Sequence, residues 1–93
     1  MEALKKKAAN ILQPLLEKYK IPEGDVEFKR TMLSLVIETL GNPATDVNSI
    51  FEETLCKYEE VEKELPGLFK EQYLVTLELL TYFREQKKHI NHP

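Results

Sequence analysis

All three glycines and three of the five prolines of this 93-residue chain fall in three short breaks, "KIPEGD" (20–25), "LGNPATD" (40–46) and "LPG" (65–67). Pro22 disfavours helix at Ile21, and Gly24 relaxes the backbone that follows. Gly41 is suited to the residue just past a helix end, Pro43 blocks continuation, and Thr45 or Asp46 can cap the next helix. So few breaks leave long uninterrupted stretches between them, which favours helices over a turn-rich β fold.

Within each stretch the apolar residues recur at three- and four-residue steps. Leu4, Ala8, Ile11, Leu12, Leu15 and Tyr19 do so in the first. Pro14 interrupts that run, because it lacks an N–H and crowds the carbonyl of Asn10. The first helix is therefore expected to kink at Pro14 or to begin near it. The second stretch opens at Asp25, a good N-cap, and aligns Phe28, Met32, Leu35, Val36 and Leu40, with Val26, Leu33 and Ile37 widening that face. In the third, Val47, Ile50, Phe51, Leu55, Tyr58 and Val61 face inward, while Glu53, Lys57, Glu60 and Glu64 form a solvated side. Cys56 falls on that polar side and is expected to be exposed.

No stretch alternates as a strand does, and there is no internal repeat. The pattern predicts an all-α fold, an antiparallel four-helix bundle with short loops. Its helices are expected near 3–20, 25–40, 46–64 and 68–88, in one domain. An up-down-up-down order would bring Lys5, Lys6 and Lys7 to the same end as Arg84, Lys87 and Lys88, a basic pole opposed to an acidic third helix.

Charge and composition narrow the function classes. Apolar residues make up 42% of the chain and charged residues 31%, an ordinary globular balance. The net charge of −3 offers no footprint for a phosphate backbone, so no nucleic-acid partner is expected. No apolar run approaches the ~18 residues that a membrane span needs, and the N-terminus lacks the uninterrupted apolar core of a signal peptide. The single cysteine cannot form an internal disulfide. A cytoplasmic setting is the expectation.

The fourth stretch raises the sharpest question. Residues 68–86, "LFKEQYLVTLELLTYFREQ", carry more apolar surface than one seam requires. Phe69, Tyr73, Thr76, Leu77, Leu80 and Phe83 line one stripe; Leu68, Val75, Leu79 and Tyr82 line a second beside it. A helix apolar on most sides is usually buried. The alternative is that Leu68, Val75, Leu79, Tyr82 and Phe83 remain accessible as a docking face for a protein partner or for a second copy of the chain.

Chemistry-bearing constellations are sparse. "REQKKH" places Arg84 five residues before His89, a spacing that resembles the R-x4-H of the four-helical HEPN ribonucleases. That resemblance implies a dimer in which Arg84 and His89 cleave RNA. Glu85, His89 and His92 fall at i, i+4 and i+7, but a chain terminus is a poor platform for a metal, and no metal or other cofactor is expected. Glu52/Glu53 and Glu59/Glu60 read as members of surface ion pairs, Glu53–Lys57 and Glu59–Lys63, rather than as paired catalytic carboxylates. No recognisable motif places a histidine beside a serine or cysteine, and the isolated glycines form no phosphate loop.

The stretch "VNSIFEETLCKYEEVEKELPGLFKEQYLVTLELLTYF", 47–83, resembles the bacteriocin immunity proteins of the enterocin A and pediocin type, in which a short turn leads from the third helix into a last helix with spaced leucines. The resemblance implies a non-enzymatic protein that protects its producer. It would act from the cytoplasmic side of a membrane receptor complex, with the last helix and tail (68–93) choosing the partner. A third possibility is a structural homo-oligomeric subunit.

Overall fold

The computed structural model describes the backbone of residues 2–64 and 67–91, and the side chains of residues 2–64, 67 and 69–86. Its architecture is all-α, with four helices and no strand among the described residues: α1 (Glu2–Lys18), α2 (Val26–Gly41), α3 (Val47–Val61) and α4 (Gly67–Asn91). The helices lie where the periodicity places them, although α3 ends three residues before the expected 64 and α4 runs three past the expected 88. The chain divides into two compact units, Met1–Thr45 and Asp46–Pro93. α1 packs on α2 in the first, and α3 on α4 in the second. No described helix is long and apolar enough to cross a membrane.

In the first unit α1 runs without a break from Glu2 through Pro14, so a start delayed to Pro14 is overturned. Proline removes one rung of the helix ladder. On either side of it Leu12 and Leu16 are both buried, and with Ala8 they form an i, i+4, i+8 line. Burying each of these two leucines contributes about 1.5–3 kcal/mol, which together offsets the ~3 kcal/mol that a proline costs inside a helix. α2 answers with Met32, Val36 and Thr39. The buried hydroxyl of Thr39 donates to the Leu35 carbonyl oxygen at 2.7 Å, so its polarity is satisfied within its own helix. Gly41 is the last residue of α2, not a left-handed residue beyond it, since no glycine has positive φ. The helix stops instead at Asn42, whose backbone is extended. A methyl group on Gly41 would meet the Leu4 side chain at 3.6 Å. The start of α1 thus lies against the end of α2.

α1 ends on a device that no glycine signals. Lys20 adopts φ 54°, the one non-glycine residue with positive φ among those described. Its N–H donates to the Glu17 carbonyl and the N–H of Ile21 donates to Leu16, at 3.1 and 2.9 Å. These are the paired 5→2 and 6→1 bonds of a Schellman motif, with Lys20 at the left-handed position. Ile21 and Leu16, the two residues that normally make its apolar contact, are both buried. A turn through Pro22–Asp25 then leads into α2, closed by the bond from Asp25 N–H to the Pro22 carbonyl. Asp25 occupies the N-cap position, but its side chain makes no capping hydrogen bond. Val26, expected on the inward face, is exposed, because the first residue of a helix has no preceding turn to cover it.

The second unit opens with a true cap. Asp46 Oδ1 accepts from the Ser49 backbone N–H at 3.1 Å, and the Ser49 hydroxyl donates to Oδ2 at 2.7 Å. Of the two residues expected to cap α3, Asp46 performs the role. Asn42 holds the approach to it by accepting from the Ala44 N–H through Oδ1 and from the Thr45 N–H through its carbonyl. Pro43 supplies the fixed φ within that turn.

Two stability measurements check these local devices. Lys20→Gly is expected to stabilise the chain by about 0.5–1 kcal/mol in urea unfolding, the left-handed penalty less the extra freedom of an unfolded glycine. Asp46→Ala is expected to destabilise it by about 1 kcal/mol. A Lys20→Gly chain less stable than wild type contradicts the strained left-handed assignment.

Candidate partner-binding surface

Two side-chain contacts set how α3 meets α4. The Arg84 guanidinium carbon lies 4.4 Å from the centre of the Phe51 ring, a cation–π contact. Tyr58 and Tyr73 lie 5.9 Å apart, centre to centre, with tilted rings. Phe51 precedes Tyr58 in α3 whereas Arg84 follows Tyr73 in α4, so the two helices pair in opposite chain directions.

α4 answers the question its sequence raises. Val75, Leu79 and Leu80 are fully buried and Phe83 is 4% exposed. The second stripe is buried at Val75 and Leu79, while the first is buried at Leu80 and Phe83 but half-buried at Tyr73, Thr76 and Leu77, and the docking face expected on α4 is corrected at Val75, Leu79 and Phe83. Their side chains are core, because each lies within about 40° of Leu79 around the helix and is shielded with it. Tyr82 alone of the described members remains exposed, at 41%, with its ring edge against Phe83 at 5.4 Å. The side chain of Leu68 lies outside the described residues. Phe69, expected inward, is exposed, since it sits in the first turn of α4.

The remaining candidates are placed as follows. Arg84 is half-buried and engaged by Phe51, while the side chains of His89 and His92 lie outside the described residues. Lys5, Lys6 and Lys7 are exposed on α1 in the first unit, Arg84 belongs to the second, and the Lys87 and Lys88 side chains lie outside the described residues. Cys56 is exposed, as its place on the wheel implies. Lys57 pairs with Glu53 at 3.5 Å, with both side chains open to water. The companion pair fares otherwise: α3 stops at Val61, so Glu59 and Lys63 do not share the helix that would set them one turn apart.

Partly accessible apolar surface lies on α3 as well as on α4. Val47 is its single buried residue, and Ile50, Phe51, Leu55, Tyr58 and Val61 are each half-buried. These five residues span about 140° of the helix at 100° per residue, wider than one antiparallel neighbour covers. Thr54 falls within the same arc and donates its hydroxyl to the Ile50 carbonyl at 2.8 Å, which removes a polar demand from that face. Periodicity alone marks all of these positions as inward. What it lacks is the number of neighbours available to cover each helix, so it does not separate the half-buried face of α3 from the buried residues of α4.

No family model, curated protein or solved structure matches this chain. The functional reading consequently rests on the residues themselves. Leu79→Ala is expected to cost about 2–5 kcal/mol in denaturant unfolding, and Tyr82→Ser less than about 1 kcal/mol. Equal losses at the two positions contradict the division of α4 into buried and accessible residues.

Proposed function

We propose that the chain is a non-enzymatic helical module that binds a protein partner through its α3–α4 unit. The observation that carries this reading is the apolar face of α3, half-buried from Ile50 to Val61 although it packs on α4. Tyr82 on α4 adds an accessible tyrosine, one of the residue types enriched among binding hot spots. Apolar surface left open to water on a folded domain is the usual signature of an interaction site. The arginine that an RNA-cleaving reading needs is held on the Phe51 ring, a packing role that supports the binding module over the nuclease.

The resemblance of residues 47–83 to bacteriocin immunity proteins supplies one concrete form of this function, an inhibitor that occupies a receptor complex from its cytoplasmic side. Its contact would lie on the third helix and Tyr82 rather than on the buried stripe of the last helix.

The test is retention of a partner. Immobilised full-length chain is expected to hold a protein from cytosolic extract that the Leu55→Ser and Tyr82→Ser variants, each folded by circular dichroism, release at least tenfold more readily. Equal retention by wild type and both variants overturns the surface, and retention by none of them overturns the binding function.

A further inference from the structure

The accessible face of α3 has a chemically distinct flank centred on Leu55. Phe51 and Tyr58, at i−4 and i+3, lie on one side of it; Glu52 and Glu59, at i−3 and i+4, lie on the other. Leu55 and the two aromatic residues are half-buried, whereas both glutamates are exposed. This flank is acidic without relief from its own helix. The nearest lysine of α3, Lys57, sits about 200° around the axis from Leu55 and is paired with Glu53. The acidity is regional as well: residues 46–64 carry seven carboxylates against two lysines. On α4, Arg84 lies over the Phe51 ring, on the aromatic side of Leu55 and away from Glu52 and Glu59.

An apolar strip bordered by a row of carboxylates recognises its complement, an apolar strip bordered by ammonium or guanidinium groups. In a helix that complement is an i, i+3, i+4, i+7 apolar seam flanked by lysine or arginine. A helix also suits the scale of the strip, since Phe51 to Tyr58 covers two turns, about 10 Å. An anionic membrane or a nucleic acid would be repelled by the same glutamates.

We infer that the Leu55 flank of α3 docks a cationic amphipathic helix of the protein partner. The inference rests on the binding-module reading and adds the partner's chemical class. Docking seats apolar residues of that helix against Leu55 and against the parts of Phe51 and Tyr58 that Arg84 and Tyr73 leave open, and its cations face Glu52 and Glu59. Such charges steer encounter and fix register more than they add affinity.

The probe is an 18-residue fluorescent leucine–lysine peptide with leucines at helical a and d positions, titrated with full-length protein and followed by anisotropy. A leucine–glutamate peptide of identical leucine pattern serves as its counterpart. Expected are saturable binding of the lysine peptide, weakening at least fivefold between 50 and 300 mM salt, and at least tenfold weaker binding of the glutamate peptide. The Glu52→Lys/Glu59→Lys chain should bind the lysine peptide at least tenfold more weakly. Glu23→Lys/Glu38→Lys, an equal charge change in the first unit, should alter it less than twofold. Equal binding of both peptides to wild type overturns the inference without recourse to any variant, as does equal weakening by the two double variants, which would reveal attraction to net charge alone. A second copy of this chain as the occupant would show as a wild-type dimer by sedimentation whose dissociation follows Glu52→Lys/Glu59→Lys, and that result also overturns it. If the lysine peptide fails while extract retention still depends on Leu55, the binding module stands and only the cationic helix is lost.

Discussion

The line of Val75, Leu79, Leu80 and Phe83 along α4 is the constraint on which the second unit depends. A short chain has few apolar residues to spend, and this helix concentrates them where water is fully excluded. Each buried leucine or phenylalanine contributes on the order of 2–3 kcal/mol, against a net stability for domains of this kind of about 5–15 kcal/mol. Losing one of them is therefore a large fraction of the whole. With these four side chains of α4 in the core, the apolar face of α3 is left half-buried apart from Val47.

Side chains at the α3–α4 contact do more than fill space. Arg84 keeps its charge over an aromatic face instead of in water, and its aliphatic stem adds packing along the way. Tyr58 and Tyr73 pair two rings that each carry a polar tip. The threonines follow a common rule: Thr31, Thr39, Thr54, Thr76 and Thr81 each donate to the carbonyl four residues earlier. Hydroxyls satisfied this way can sit on buried or accessible faces alike, so threonine position says little about burial.

Much of the architecture was legible because the breaks are few and the apolar period is regular. The four helices, the cap at Asp46, the exposed Cys56 and the Glu53–Lys57 pair all follow from spacing on a single helix. Misplaced features are those that depend on neighbours or on backbone conformation. Phe69 and Val26 have inward-facing registers, yet each lies in the first turn of its helix, where cover is missing. Val75, Leu79 and Phe83 looked like surplus surface because a wheel shows directions and not the partners waiting in them. Gly41 looked like the helix-ending residue, while the left-handed position fell to Lys20, where the residue type gives no sign of it. The candidate surface on α3 was readable as a list of apolar residues, but not as a surface.

The termination of α1 has a consequence for chirality. Positive φ is a cost for L-residues because their Cβ approaches the neighbouring carbonyl oxygen; for a D-residue the relation is mirrored, and the same backbone is its preferred state. Lys20 is exposed, and both hydrogen bonds of the motif are made by backbone atoms. A chemically synthesised chain with D-lysine at this one position would keep the charge, the side chain and both bonds while removing the strain. Within α1 itself the same inversion would break the helix, so one peptide unit marks the boundary between the two hands of the backbone.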